Sequence, residues 1–546
     1  MSEDVDLGLS RREVIARGLG VGALAFGGSA VLAACGGSTS THAAKSILAM
    51  SSGPAGGTPR QGGTLNLGLL TNGSSETIDI RKVQNVPDFA RTQALFDPLF
   101  FSAPAEPGGV RPGLAVSAQP QAGATRWIFD LRRGVAWHDG SPFGADDVVY
   151  TIRSWASSES FFHTIAASLI DFSRVRKRGP LTVEVPLLKA FAAFPSLLTT
   201  YNAWVIKSGT TSFAHPIGTG PYKFVSFTPG SSSTFTANAD YWGGRPHPDQ
   251  MLVNSSFSED GARINAVVQG TIDVAPEIAF SLAKANAGSV VIGNAAGPGI
   301  IPLCMRTNAG PLQDVRIRQA LRLLTNREAF LTDVLDGFGA LGNDLPGHTY
   351  EYYASDIKPE YDPEKAKSLL KQAGAGDLRL QLYTSEETYG MNETATLWAG
   401  QAQAAGVKVS ITQISPSTYY TSATPGYLTN ARAFSMDYIN LAPPSLGGFY
   451  VQFLLSSAEF NETGWGMGPQ GPARDALIYD ALGETDPAKA ADKWHAVQEA
   501  QAAEGGYIIP AYFNFVDAYS ERVRGIKTTS AGPNDDFNYR GAWLAS

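Results

Sequence analysis

Two tetrapeptides in this 546-residue chain, Ser281-Leu282-Ala283-Lys284 and Ser368-Leu369-Leu370-Lys371, place a lysine three residues after a serine. At that spacing a neutral lysine can take the proton of a serine nucleophile, the opening step of covalent acyl transfer. Lys207-Ser208-Gly209 is a loose match to the Lys-Thr-Gly element that accompanies such a pair, but no Ser-Asp-Asn element occurs. Ser368 and Lys371 also fall inside a segment with a strong helix start at Asp362, so the catalytic constellation is incomplete and no enzyme is expected. Metal chemistry has equally little support. The histidines (His42, His138, His163, His215, His247, His348 and His495) show no paired ligand spacing, and Cys304 has no partner near it in sequence. Gly218-Thr219-Gly220-Pro221 lacks the lysine and helix start of a phosphate loop. No cofactor is expected, and no nucleotide chemistry of the chain's own.

The N-terminus carries a different kind of signal. Ser10-Arg11-Arg12-Glu13-Val14-Ile15 is a twin-arginine pattern, and an apolar, glycine-rich run follows from Gly18 to Ala34. A basic region, an apolar region and small residues at a cut site are the anatomy of an export signal. Leu32-Ala33-Ala34-Cys35 resembles a bacterial lipobox, which makes Cys35 the lipidation site and residues 1–34 the removed peptide. An uncleaved membrane helix is the alternative, though the run is short and glycine-rich for a span of roughly 20 residues. Residues 35–61 are mostly Ser, Gly, Thr, Ala and Pro, the composition of a flexible tether.

Removing residues 1–34 takes three arginines and four acids, so the formal charge moves from −8 to −7. A mildly acidic chain without a basic block is not a nucleic-acid binder. With Cys35 lipidated, Cys304 is a lone thiol and no internal disulfide supports the fold. Stability must come from apolar burial, and roughly 510 residues suffice for two or three domains.

Period-two segments such as Thr64–Leu69 and Arg126–Leu131 predict strands. The Asp139-Gly140 turn leads to a helix starting near Gly144, with Asp146 and Asp147 in its first turn and Val148, Val149 and Ile152 behind. Asp362 and Pro363 start another helix, Ala366, Leu369, Leu370 and Ala373 form its apolar stripe, and Gly374 ends it. Strands and helices mixed along the chain give an α/β class.

Several of these landmarks together resemble the family 5 extracellular solute-binding proteins of ABC importers, the oligopeptide, dipeptide and nickel binders. The run Leu131-Arg132-Arg133-Gly134-Val135-Ala136-Trp137-His138-Asp139-Gly140-Ser141-Pro142-Phe143, continuing to Tyr150, is similar to the family's strand, turn and helix. So are His215 to Tyr222, Asp314 to Leu321 with Asn326-Arg327-Glu328, Tyr361 to Gly374, and Ile509-Pro510-Ala511-Tyr512. The resemblance implies a two-lobed periplasmic-binding-protein-like fold (class II, Venus-flytrap) with an extra domain. Its expected division is lobe I at 62–101, 216–300 and 506–546, the extra domain at 102–215, and lobe II at 301–505. Guest binding in the cleft then shifts a hinge equilibrium, because contacts to both lobes exist only when they are shut.

The resemblance also implies site residues. Phe434-Ser435-Met436-Asp437-Tyr438-Ile439-Asn440 is similar to the strand whose aspartate anchors a peptide's free amine, which assigns that role to Asp437. A buried carboxylate facing an ammonium makes a charge-assisted bond. Asn440 and Ala442-Pro443 depart from the acidic residue and Asp-Pro that often follow. Thr77–Ile80 with Asn85-Val86-Pro87 is similar to the edge that pairs with peptide main chain, and Gln84 stands where some relatives carry glutamate. Phe161 and Phe162 are candidates for lining the cleft, with the core as their alternative. Arg432 is a candidate for a terminal carboxylate, although period two puts it on the face opposite Asp437. The expected molecule is a monomeric lipoprotein, tethered by lipid on Cys35 outside the cell membrane. It captures di- or oligopeptides and delivers them to permease subunits driven by separate ATPase subunits. Alternatives are another cargo, such as a nickel chelate, haem, opine or sugar, and, from a different class, an envelope serine hydrolase.

Overall fold

The structure is a computed structural model that describes residues 53–54, 56–386, 388–419, 433–439, 443–458 and 460–545. Cys35, the signal segment and Arg432 lie outside the described residues. Among the described residues no helix is long and apolar enough to cross a membrane.

Three sheets organise the chain. The largest orders its strands Val291–Ile300, Ala511–Tyr519, Val274–Ala275, Thr64–Leu70, Gln250–Phe257, Ser232–Ala237 and Tyr222–Thr228, with Gly339–Leu341 also paired to Ala511–Tyr519. Thr64–Leu70 lies parallel to Gln250–Phe257 from Thr64 opposite Gln250. The second sheet runs Lys408–Ile414, Arg379–Ser385, Phe434–Met436, Leu303–Met305 and Tyr507–Ile508. These two mixed sheets are the centres of the two lobes. The third is an antiparallel four-stranded sheet, Ala115–Gln121, Arg126–Leu131, Thr182–Pro186 and Arg176–Gly179. In it Trp127, Phe129 and Leu131 point inward and their neighbours outward, as period two requires.

At two places the chain crosses between the lobes in the same way. Strand Val291–Ile300 of lobe I leads through Ile301-Pro302 to Leu303–Met305 of lobe II, and Tyr507–Ile508 returns through Ile509-Pro510 to Ala511–Tyr519. Proline has no N–H to give a ladder, so each sheet ends there. These crossings shift two expected boundaries. Tyr507–Ile508 belongs to the lobe II sheet, and Gly339–Leu341 pairs into the lobe I sheet. The tether also ends earlier than residue 61. Gly53 lies against Ile526 and Lys527, and Gly57 against the Trp543 ring.

Helix Ala145–Ser154 starts where expected. The Asp147 carboxylate accepts from Gly144 N–H at 2.9 Å, Trp137 Nε1 at 3.2 Å and Ser208 N–H at 2.9 Å, tying turn, helix and a later loop together. Asp362 caps Pro363–Gln372 by accepting from Lys365 N–H, and Asp314 caps Val315–Leu323 by accepting from Arg316 N–H, both at 2.9 Å. The His215–Tyr222 turn packs on the end of helix Val86–Leu95. A Cβ on Gly218 would come within 1.7 Å of the Leu95 carbonyl oxygen, so only glycine fits. Asp97, fully buried just past that helix, holds the turn. It accepts from Thr219 Oγ1 (2.9 Å), Tyr241 Oη (2.9 Å), Trp242 Nε1 (2.8 Å) and Arg540 Nη2 (2.9 Å).

Candidate ligand-binding site

Strand Phe434–Met436 is the middle of the lobe II sheet, with Cys304 opposite Ser435 on one side and Tyr383 opposite Ser435 on the other. Alternation splits its residues between two faces. Phe434 and Met436 are fully buried in the lobe II core, and the Phe434 ring meets Trp398 edge-on at 5.0 Å. Their expected contact with a guest is therefore corrected: both side chains fill the core. Asp437 follows the strand on the Cys304 side. Its N–H donates to the Pro302 carbonyl at 3.0 Å, directly at the first crossing. Its Oδ1 accepts from Tyr438 N–H at 2.7 Å. Ile439 and Ile300 exchange backbone hydrogen bonds at 2.9 and 3.0 Å, so the segment carrying Asp437 is pinned to the end of a lobe I strand. The Tyr438 ring stacks on Phe513 of lobe I, centroids 5.2 Å apart and planes 2° from parallel.

The fold adds two groups that spacing along the chain did not suggest. Cys304 Sγ and carboxylate oxygens of Asp437 and Glu462 all lie within 4.8 Å of one another. Cys304 has no partner near it in sequence, and these two neighbours come to it only through the fold. The three come from a strand, a strand end and a loop far apart in sequence, and only register in the sheet joins them. Burial pushes the Cys304 thiol well up, and the carboxylates of Glu462 and Asp437 push it further, so it stays a protonated thiol and not a nucleophile. Burial pushes the Arg306 guanidinium down, and Glu462 opposes that shift. Burial likewise raises the Tyr507 hydroxyl, with Cys304, Asp437 and Glu462 adding to the effect. Two carboxylates converging in a low-dielectric corner favour a guest that brings positive charge. An ammonium has three donors to divide between them. The thiol and carboxylates also form the one group among the described residues with the donors to hold a metal ion.

The expected facing edge has a different structure. Asn85 is extended, with φ −130° and ψ 161° as an N-cap requires, and only Val86 is already helical. Asn85 Oδ1 accepts from Asp88 N–H at 3.2 Å as the N-cap of helix Val86–Leu95, and Val86 is its first residue. An N-cap followed by proline and an acid is the chemistry of a helix start, which outweighs any tendency to extend. Gln84 is exposed, and Thr77–Asp79 run outside regular structure with Thr77 N–H on Asp88 Oδ1 at 2.9 Å. The loop between is fixed from the four-stranded-sheet domain. Asn202 Nδ2 donates to the carbonyls of Ile80 (3.3 Å) and Val83 (2.9 Å), and Phe161 N–H donates to Arg81 O at 2.9 Å. Phe162 is fully buried with its ring edge-on to Trp155 at 4.8 Å, so it is core and lines no cleft. Phe161 is half-buried and faces Phe460 of lobe II at 5.9 Å. The serines and lysines of both Ser-x-x-Lys segments are exposed on helices, and Lys284 pairs with Asp336 at 2.9 Å.

Residues 109–447 match the profile of the bacterial extracellular solute-binding proteins, family 5. The chain belongs to this family. The dipeptide-binding protein of Escherichia coli strain K12 is 29% identical over an alignment of 333 residues that covers 55% of this chain and 62% of that protein. The haem-binding protein A of Haemophilus influenzae is 25% identical over an alignment of 456 residues that covers 76% of this chain and 81% of that protein. Among solved structures, the periplasmic binding protein DppA from Helicobacter pylori in complex with the peptide STSA superposes with a TM-score of 0.76 at 20% identity. It covers 89% of this chain and 99% of its own. The family 5 binding protein described here therefore has the two-lobed α/β fold its sequence implied.

Proposed function

We propose that this family 5 protein is the solute-binding lipoprotein of an ABC importer, anchored through Cys35, which captures short peptides between its lobes and passes them to a permease. Capture is a matter of binding and closure, with no bond made or broken. The observation that carries the peptide reading is Asp437. It is a buried carboxylate fixed at the crossing between lobes, with Glu462 beside it, where a free ammonium donates charge-assisted hydrogen bonds. The relatives' names support peptides, through the dipeptide-binding protein, and equally record a haem binder. A second reading has its own support: Cys304, Asp437 and Glu462 together suit a cationic guest such as a metal chelate.

Calorimetric titration of the Asp437→Ala variant separates the two. The variant should bind free-amine tri-alanine at least tenfold more weakly than the parent chain, a loss of about 1.4 kcal/mol or more. N-acetylated tri-alanine, which has no ammonium to lose, should change little. Equal losses for both peptides would remove Asp437 from the amine-binding role.

A further inference from the structure

The four-stranded-sheet domain is fixed to lobe I. Asn202 holds the Ile80 and Val83 carbonyls, Val205 N–H donates to Asp97 O at 3.3 Å, and Tyr201 Oη donates to Asp536 Oδ1 at 2.5 Å. The same domain also reaches lobe II directly. Ser196 Oγ and Ser445 Oγ are 2.6 Å apart with both residues buried, and Ala192 N–H donates to Leu482 O at 2.7 Å. Phe191 sits over the backbone of helix Leu446–Phe453, where a Cβ on Gly447 would come 2.7 Å from its ring. A Cβ on Gly109 would come 2.1 Å from the Pro444 carbonyl oxygen. Phe191, Leu446 and Leu482 are no more than 2% exposed, and one apolar cluster runs from this domain into helices Leu446–Phe453 and Gly471–Leu482. None of these residues belongs to the Asp437 group. The seam is a dry contact of the protein with itself, bridging the two bodies that the Ile301-Pro302 and Ile509-Pro510 crossings join.

We infer that this seam parts and re-forms as the lobes open and shut, and that it sets how tightly every guest is held while the cleft decides which guest. The inference rests on the closing-lobe reading above. If the four-stranded-sheet domain travels with lobe I, to which it is hydrogen-bonded, its contacts with lobe II break as the cleft opens. Contacts made only in the shut state stabilise it whether or not a guest is present. Apparent affinity scales with the population of the binding-competent state, so a change at the seam multiplies all affinities by one factor. A change in the cleft alters them unequally.

Two measurements on the full chain test this. The first needs no guest. In a Ser196→Cys/Ser445→Cys variant, stripped of guests by unfolding and refolding, the paired hydroxyl positions allow a disulfide. Small-angle scattering should give a smaller radius of gyration for the oxidised form than for the reduced form. Identical radii would mean the seam is a permanent joint, and would overturn the inference. The second uses Phe191→Ala with di-alanine, tri-alanine and tri-lysine as probes. The expected result is a loss of about tenfold shared by all three, with their ranking intact. Losses that differ among probes, or no loss, would overturn it. If the peptide reading alone is wrong, none of the probes binds, while the scattering difference between oxidised and reduced forms persists.

Discussion

At Asp437 the decisive property is position. The carboxylate follows a strand of the lobe II sheet, with the residue's own N–H bound to Pro302 O at the first crossing. Asp437 was legible as a candidate through the likeness of Phe434–Asn440 to the family's strand, and its place just past that strand follows from the pairing of Phe434–Met436. Glu462 and Cys304 were not legible, since sheet register and a loop, not sequence spacing, deliver them. Asn85 shows the opposite case: a strong local signal, an N-cap before Pro87, was passed over for the resemblance of a longer stretch. His138 allows a cleaner test at this scale. Its Nδ1 accepts from Gly218 N–H at 3.2 Å, and its Nε2 contacts Gly220 O at 3.0 Å, so a neutral ring bridges the Gly-Thr-Gly turn. Burial first, and the Lys223 cation second, lower its pKa to about 4. Between that value and about 6.5 the unfolded chain binds the proton and the fold does not, so stability rises with pH across the window and is lost as pH falls. Discounted for partial exposure, the swing is about 2 kcal/mol. In urea titrations the parent chain should lose more stability from pH 7 to 4.5 than His138→Gln. Parallel losses would show that His138 does not bridge the turn as a neutral ring.

At the scale of elements, the signature segments of the family become a mechanical assembly. The Asp139-Gly140 turn, helix Ala145–Ser154 and the His215–Tyr222 turn meet through Asp147, His138 and Asp97. Local chemistry predicted the helix starts at Asp314 and Asp362 and the pleat of Arg126–Leu131 because each depends on residues close in sequence. The partners of Asp97 were invisible, because Thr219, Tyr241, Trp242 and Arg540 come together only in the folded lobe. Replacing Asp97 by Ala leaves four donors short of an acceptor, the buried hydroxyls of Thr219 and Tyr241 and the half-buried Trp242 indole and Arg540 guanidinium. Loss of one partner from such a buried pair costs about 3 kcal/mol or more. Denaturant unfolding of Asp97→Ala should show that loss. A change below about 1 kcal/mol would mean that the hub is not essential to lobe I.

For the whole molecule, the two-lobed architecture followed from several weak segments agreeing with one another, while the boundaries slipped where chain crossings place Tyr507–Ile508 and Gly339–Leu341 in unexpected sheets. Sheets fix lobes, and proline-marked crossings fix where lobes can bend. Asp437, Glu462 and Cys304 meet at a corner close to one of those crossings, which is where the proposed function puts the amine of the cargo. Native mass spectrometry of the chain, purified without denaturation, tests the peptide account most directly. The account predicts non-covalent adducts with the masses of peptides of a few residues, released on unfolding and depleted in Asp437→Ala. A haem, a sugar or a metal complex in their place would contradict it.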